Sequence, residues 1–254
     1  MKSSFNKIYQ DSIQKPEEFW KDISEDIFWY KKPSKILNKA NPPFYKWFED
    51  GVTNTCYNAI DVHVDKGNGD KTALIYDSPI TNKKAKFTFN ELREKISKFA
   101  GALDNQGVKK GDRVIIYMPM IPEAVVAMLA CGRIGAIHSV VFGGFASNEL
   151  ASRIDDSKAK ILITASCGFE PGRTVEYRPL VDGALKLANH KVGKVIFFQR
   201  EGHEVNLNSP LEISWEEALV NAKDKDCVEI GANDFAYILY TSGTTGIPKG
   251  IVRD

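Results

Sequence analysis

The sequence lacks the features that mark membrane and secreted proteins. It contains no run of about 18 apolar residues, the length that a helix needs to cross a bilayer. Its amino terminus has neither the apolar core of a secretion signal nor the arginine-rich amphipathic pattern of a transit peptide. These absences predict a cytoplasmic protein with no membrane partner.

Cysteine and histidine are scarce, with four of each in 254 residues. No Cys-x-x-Cys pair occurs, and no histidine lies at metal-ligand spacing, so we expect no metal site. The histidines also lack a serine or cysteine partner at a recognisable spacing, which gives them no predicted catalytic role. We expect each of the cysteines to be a reduced, structural thiol: Cys56, Cys131, Cys167 and Cys227.

An excess of either charge is missing as well. The 34 basic and 33 acidic residues give a net charge of +1, and the lysines form no basic block, so we expect no nucleic-acid partner. The hydrophobic fraction of 43% is ordinary for a globular protein. This length and composition predict one large domain or two small ones with a substantial core.

Short apolar runs alternate with amphipathic segments along most of the chain. We expect strands at 72–76, 87–89, 113–118, 137–142, 161–164, 195–198 and 237–240. We expect helices at 58–64, 91–103 (with Asn90 as a possible cap), 123–131, 149–154 and 180–188, and a helix start at Pro16. This alternation predicts an α/β fold with a mostly parallel sheet flanked by helices, and ligands at the carboxyl ends of the strands.

The last predicted strand runs directly into a loop of hydroxyls and glycines that ends on a lysine. Glycines let the backbone turn tightly and bring several N–H donors to one anion, while the hydroxyls and the lysine add donors and positive charge. No Gly-Lys-Ser/Thr follows, so this is not a Walker loop. The pattern favours phosphate binding over a flexible surface loop: Thr241-Ser242-Gly243-Thr244-Thr245-Gly246-Ile247-Pro248-Lys249-Gly250.

This ordered loop resembles the phosphate loop of the adenylate-forming enzymes, which include acyl-CoA synthetases. The aromatic-rich segment 1–55 is similar to the one that acetyl- and propionyl-CoA synthetases carry ahead of their main domain. The resemblance divides the chain into this segment and 56–254, the first part of an AMP-binding domain that stops just after the loop. The family's acyl pocket, adenine and ribose motifs and carboxyl-terminal domain lie downstream, so we expect an amino-terminal part that is inactive alone.

The resemblance implies an ATP-dependent ligase that uses Mg²⁺ and coenzyme A. A short-chain carboxylate would form acyl-AMP with release of pyrophosphate, and coenzyme A would then displace AMP. The loop residues listed above, except Ile247 and Pro248, would bind the ATP phosphates, with Lys249 as the catalytic cation. The residues after the loop, Ile251 to Asp254, favour propionate, and acetate is the alternative. A non-catalytic nucleotide- or CoA-binding module and an interaction scaffold remain other interpretations.

Two further places in the sequence would bind coenzyme A by the same resemblance. Gly143 and Gly144 form a Gly-Gly-Phe turn after a strand, although such a turn is by itself common. Arg173 lies on a later loop where acetyl-CoA synthetases carry two arginines for the nucleotide phosphates. The first of these positions is Glu170 here, an acid, which leaves the contact to Arg173, with Arg178 as a further candidate.

Overall fold

Strands and helices alternate along most of the chain in the computed structural model, which describes residues 4–241 and 248–254. The helices are α1 (Ser4–Gln14), α2 (Pro16–Ser24), α3 (Phe89–Asn105), α4 (Pro122–Arg133), α5 (Ser147–Ser157), α6 (Tyr177–Leu187) and α7 (Trp215–Val220), with π-helical turns at Tyr57–Asp61 and Val64–Asn68. The strands are β1 (Leu37–Asn38), β2 (Lys46–Trp47), β3 (Val52–Thr53), β4 (Thr72–Ser78), β5 (Lys83–Thr88), β6 (Arg113–Met118), β7 (Ile137–Phe142), β8 (Ile161–Ala165), β9 (Cys167–Glu170), β10 (Arg173–Glu176), β11 (Lys194–Phe198), β12 (Glu212–Ser214), β13 (Ile230–Gly231), β14 (Tyr237–Thr241) and β15 (Lys249–Arg253).

A sheet in the order β12-β11-β8-β6-β7-β14-β15 forms the centre of the fold. Each neighbouring pair is parallel except β14 and β15, which are antiparallel. The central strands are continuous apolar runs because both of their faces are covered; all five residues of β8 are buried. The predicted α/β fold with a mostly parallel sheet is confirmed.

Two crossovers leave the central strands in opposite directions. Strand β6 leads through α4 to β7 on one side, and β7 leads through α5 to β8 on the other side of β6. Because such crossovers are right-handed, α4 and α5 lie on opposite faces of the sheet. Helix α3 packs beside α4, and α6 packs beside α5. The strand order therefore reverses next to β6, where α/β proteins bind their ligands.

The start of α3 differs from the sequence prediction. Residues 87–89 were expected as a strand with Asn90 as the cap, but β5 ends at Thr88 and the helix begins at Phe89. Thr88 is the N-cap: its hydroxyl accepts the Glu91 N–H at 3.2 Å, and the Glu91 carboxylate accepts the Thr88 N–H at 2.7 Å. This reciprocal capping box satisfies two helix-end donors at once, which Asn90 does not do.

The amino-terminal segment is more regular than its composition suggested. Helix α2 begins at Pro16 as predicted, but α1 was not predicted at all. Its apolar residues recur at helical spacing, as Phe5, Ile8, Tyr9 and Ile13, and all four are exposed. Strand β3 closes the segment and pairs with β13, which attaches it to the main body. Across the described residues, no helix is long and apolar enough to cross a bilayer.

Candidate functional site

A cavity of about 540 Å³ opens where the carboxyl ends of the central parallel strands meet. Strands β6 and β7 end in Met118 and Phe142, and both residues line it. The same cavity is bordered by residues of three connections that follow the strands: Gly143, Glu170, Tyr177 and Arg200. The sequence had placed the ligand site at this edge of the sheet, and a cavity is present there.

The Gly-Gly turn directly follows β7, and each of its two positions requires glycine for a different reason. A Cβ atom on Gly143 would overlap the hydroxyl of Tyr177 and lie 2.9 Å from the carbonyl oxygen of Met118. Gly144 has a φ of +101°, a conformation that residues with a Cβ rarely adopt. Only glycine fits at both positions, so the backbone of the turn is exposed to any ligand in the cavity.

Tyr117, on β6, fixes the position of this turn. Its hydroxyl donates to the carbonyl of Phe145 at 2.7 Å and accepts the N–H of Gly144 at 3.2 Å. Burial raises the pKa of Tyr117, so the hydroxyl remains a donor at neutral pH. Its ring packs on that of Tyr177, with 4.9 Å between centroids. Neither tyrosine was identified from the sequence, because an apolar pattern does not show where a buried ring or hydroxyl will be placed.

Arg173 lies on a hairpin of β9 and β10, where the sequence predicted a loop. The antiparallel pairing satisfies the backbone of this short segment, which is a local effect that the sequence pattern did not show. The Arg173 guanidinium is exposed and forms an ion pair with Glu170, at 2.6 and 2.7 Å. A Cβ on Gly144 would lie 3.6 Å from the Glu170 carboxylate. The structure therefore brings Gly143, Gly144 and Arg173 together around Glu170.

Two other arginines near the hairpin differ in their availability. Arg178 forms ion pairs with Asp182 and Glu212, both at 3.0 Å, so its charge is already neutralised. Arg200 lies over the ring of Phe169, 4.7 Å from the centroid, and forms no ion pair with any residue in 4–241 or 248–254. Arg200 is thus a partly buried cation on the cavity wall that sequence reasoning did not identify.

The predicted phosphate loop connects two antiparallel strands. The predicted strand 237–240 is confirmed as β14, and Thr241 pairs directly with Lys249 at the start of β15. Paired residues project to the same face of a sheet, so the side chains of Thr241 and Lys249 leave the same face at the base of the loop. Both are exposed, as is Gly250. Ser242, Gly243, Thr244, Thr245 and Gly246 lie outside the described residues.

Helix α5 links the Gly-Gly turn to the base of the phosphate loop. The Arg153 guanidinium lies 5.2 Å from the ring centroids of both Phe145 and Tyr240. The Tyr240 hydroxyl donates to Asp156 at 2.7 Å. Cations over aromatic faces and a charged hydrogen bond fix these elements relative to one another.

A second, more apolar groove of about 620 Å³ runs along the sheet beside β14. Met118, His138 and Leu239 line it, and the His138 ring stacks on Tyr237 with 5.7 Å between centroids. The Nδ1 atom of His138 is buried without a hydrogen-bond partner among the described residues. Burial lowers the pKa of His138 to about 4, so the imidazole is neutral at physiological pH.

The model of the AMP-binding enzyme family matches residues 61–254, which is most of the chain. This chain belongs to the AMP-binding enzyme family. A second model, the acetyl-coenzyme A synthetase N-terminus, matches residues 5–59. The AMP-binding region thus contains the cavity, the Gly-Gly turn, the hairpin and the strand pair at the base of the loop.

Relatives of this AMP-binding chain are considerably longer proteins. The human acyl-CoA synthetase short-chain family member 3, mitochondrial, is 52% identical over 252 residues, which are 99% of this chain and 37% of the relative. The acetyl-coenzyme A synthetase of Xylella fastidiosa is 41% identical over 99% of this chain and 40% of its own length. The chain therefore spans well under half of the relatives that it matches.

The AMP-binding fold is also found in a solved structure. The acetoacetyl-CoA synthetase of Streptomyces lividans superimposes with a TM-score of 0.87 at 25% identity, over 99% of this chain and 38% of that one. The agreement extends over nearly all of the present chain, including the α/β core and the amino-terminal segment.

Proposed function

We propose that this chain forms the ATP-phosphate and coenzyme A region of an ATP-dependent short-chain acid–CoA ligase. The observation that carries the proposal is the pairing of Thr241 with Lys249 at the open base of the phosphate loop. Its support comes from the membership in the AMP-binding family and from relatives whose names include acyl-CoA and acetyl-coenzyme A synthetases. The division into 1–55 and 56–254 and the cytoplasmic location are proposals as well, and the human relative is mitochondrial by its name.

The proposed first step joins two anions, which is why positive charge is needed. A carboxylate oxygen attacks the α-phosphorus of ATP, the bond to the bridging oxygen breaks, and pyrophosphate leaves. Lys249 would neutralise charge on the β- and γ-phosphates, and Thr241 would donate its hydroxyl beside it. No described residue forms an ion pair with Lys249, so its charge is available for an anion. Mg²⁺ would arrive with the triphosphate, whose oxygens are good ligands for it.

The proposed second step uses the cavity at the Gly-Gly turn. The thiol of coenzyme A attacks the acyl carbonyl carbon, the bond to AMP breaks, and the thioester forms. Gly143 and Gly144 would let the cofactor pass close to the backbone, which Tyr117 holds in place. Arg173 would bind a nucleotide phosphate after exchanging its ion pair with Glu170 for the phosphate. Acetyl-CoA synthetases carry an arginine at the position of Glu170, and Arg200 would supply the positive charge that is missing there.

The preferred acid would be propionate, with acetate as the alternative. The proposal rests on the residues that follow the loop, in particular Arg253 and Asp254. In the structure, the carbonyl of Arg253 accepts the N–H of Ala236 at 2.7 Å, and Asp254 accepts a hydrogen bond from Asn233 at 3.2 Å. These bonds hold β15 in register, so the residues after Lys249 have a fixed position relative to the loop.

ATP–pyrophosphate exchange with propionate tests the function. We would assay the 254-residue chain and a chimera in which it is joined to the remaining carboxyl-terminal part of the human relative. We expect exchange by the chimera, and a loss of about 100-fold or more in its Lys249→Ala variant. The matched control is Lys186→Ala, which removes an exposed lysine from α6.

Each outcome separates one interpretation from another. A folded chimera that exchanges with neither propionate nor acetate would contradict the ligase assignment. ATP binding by that chimera without exchange would favour the non-catalytic binding module. Full activity in the Lys249→Ala variant would contradict the role proposed for the loop. A preference for acetate would change the proposed substrate and leave the ligase assignment in place.

A further inference from the structure

Two cysteines that are distant in sequence meet at the edge of the sheet opposite the cavity. Cys56 is fully buried beside the π-helical turn at Tyr57–Asp61, and Cys227 is half-buried on the segment between α7 and β13. The two sulfur atoms and a carboxylate oxygen of Asp61 all lie within 4.8 Å of one another. The sequence spacing gave no indication of this cluster, because 170 residues separate the two cysteines.

Arg133, the last residue of α4, controls the charge in this cluster. Its guanidinium donates to both oxygens of Asp61, at 2.7 and 2.9 Å, and to the sulfur of Cys56 at 3.6 Å. The sulfur of Cys227 lies 3.6 Å from an Asp61 oxygen. Arg133 and Asp61 are both nearly inaccessible to solvent, so these interactions are little screened.

This arrangement suits thiol chemistry better than metal binding. A divalent cation would need the Asp61 oxygens, which the guanidinium already occupies, and would lie near the positive charge of Arg133. The same positive charge stabilises a thiolate. The hydrogen bond from Cys227 and the charge of Arg133 lower the pKa of the Cys56 thiol against the opposing effects of burial and of the Asp61 carboxylate.

We propose that Cys56 and Cys227 form a reversible disulfide when the chain meets hydrogen peroxide. The Cys56 thiolate attacks one peroxide oxygen, the O–O bond breaks, and the leaving hydroxide takes a proton to become water. The sulfur of Cys227 then attacks the sulfenic acid of Cys56, the S–O bond breaks, and a second water leaves with the thiol proton. The two thiols are oxidised and one peroxide is reduced to two waters.

The position of Cys227 makes both steps accessible. Residues 222–229 form an extended segment without regular secondary structure, and Cys227 is partly exposed there, so a small oxidant can enter from its side. The sulfur atoms must approach from within 4.8 Å to about 2 Å. The backbone is hydrogen-bonded on either side of Cys227, at Lys225 and Val228, so rotation of the two cysteine side chains must supply most of this movement. The disulfide would tie the segment to the region next to β3.

Counting free thiols in the full chain tests the proposal. After mild peroxide treatment and unfolding in denaturant, we expect the four free thiols to fall to two, and dithiothreitol to restore them. Peptide mass analysis should identify one link between Cys56 and Cys227. The thermal midpoint of the oxidised chain should rise by about 5 °C or more, because the bond closes a very long loop.

Variants separate this pair from the other cysteines. Cys56→Ser should keep all three remaining thiols after treatment. Cys227→Ser should lose one, because Cys56 stops at the sulfenic acid without a link, and Cys131→Ser should fall from three to one. Cys227→Ser removes a half-buried sulfur, so it keeps the test valid if Cys56→Ser does not fold. Four surviving thiols, a disulfide between two chains, or overoxidation of Cys56 without a link would overturn the proposal. Stoichiometric Zn²⁺ binding that depends on both cysteines would overturn it in favour of a metal site.

Discussion

Charged residues differ between the two ends of the parallel strands. We call the end with the cavity and the phosphate loop the carboxyl edge, and the end with Arg133 and Asp61 the amino edge. At the amino edge, Arg133 and Asp61 are buried, paired and surrounded by further hydrogen bonds. At the carboxyl edge, Lys249 is exposed without an ion pair in the described part of the chain, and Arg173 is exposed on a hairpin. Paired charges that are removed from water specify how elements pack. The exposed cations can meet an anion instead, Lys249 directly and Arg173 by exchanging its ion pair with Glu170.

Asn54 provides hydrogen-bond partners for several backbone groups at the amino edge. Its side-chain amide donates to the carbonyls of Gly132 and Arg133 at the end of α4 and to Val228, at 2.8 to 3.3 Å. Its oxygen accepts the N–H of Tyr57 at 3.1 Å. The last carbonyls of a helix have no partner within the helix, so this one residue caps α4 and attaches two other segments to it. We therefore expect the amino edge to govern stability and the carboxyl edge to govern binding.

Breaking the buried pair should produce the largest change. Asp61→Asn leaves the Arg133 charge buried without its counter-ion, and we expect the free energy of unfolding to fall by about 3 to 5 kcal/mol. Urea unfolding measures this loss. The control, Glu18→Gln, removes one partner of the exposed pair with Lys15 and should cost less than about 1 kcal/mol. Equal effects of the two substitutions would show that the amino edge has no special role.

His138 in the apolar groove should make the stability of the chain depend on pH. His138 has a pKa of about 4 in the folded chain because it is buried, against an ordinary value of 6.5. As pH falls below about 6.5, the unfolded chain binds a proton that the folded chain does not bind until about pH 4. Stability is therefore lost over this window, by about 3 kcal/mol in total.

A phenylalanine at this position removes the titration and keeps a ring against Tyr237. We expect His138→Phe to lose less stability than the unsubstituted chain between pH 6.5 and 4, by about 3 kcal/mol. Chemical unfolding at half-unit pH intervals gives the two curves. The control is His203→Phe, the same substitution at an exposed histidine outside the groove. Parallel curves for His138→Phe and the unsubstituted chain would contradict a neutral, buried His138.

The sequence predicted the carboxyl edge better than the amino edge for a physical reason. The phosphate loop and the Gly-Gly turn are local: glycines, hydroxyls and a lysine occur within a few positions of the strands that place them. The strand-to-helix alternation is local in the same sense, and it predicted the parallel sheet. The roles of Thr241, Lys249, Gly143 and Arg173 in binding stay predictions, although the structure gives their positions.

The amino edge depends on contacts between distant residues that have no local signature. Cys56 and Asp61 lie on one helical turn, whereas Arg133 and Cys227 come from two other segments, and only the fold brings the three together. The ion pair of Arg173 with Glu170 was also not predicted. The sequence pattern suggested a loop, whereas the structure has a hairpin in which these two residues are paired. Thr88 was missed as a cap because its partner Glu91 identifies it only once the helix start is fixed.

The smallest change in stability that we predict is for Tyr117, whose ring is in the core and whose hydroxyl contacts the Gly-Gly turn at the cavity. Tyr117→Phe keeps the buried ring and removes the hydroxyl that bonds Phe145 and Gly144. We expect the free energy of unfolding to fall by about 1 kcal/mol. In the ligase chimera, the KM for coenzyme A should rise more than kcat falls, because the freed turn must be ordered again on binding.

Tyr177→Phe is the matched comparison, because Tyr177 packs on the same ring and its hydroxyl makes no hydrogen bond within the described residues. Its cost in stability should be smaller, about 0.5 kcal/mol or less. A rise in the KM for ATP instead of coenzyme A in Tyr117→Phe would place the turn in the nucleotide site. Loss of stability with no change in either KM would show that the Tyr117 hydroxyl stabilises the core and has no part in binding. Stability and binding would then depend on separate groups even at the residue where the core meets the cavity.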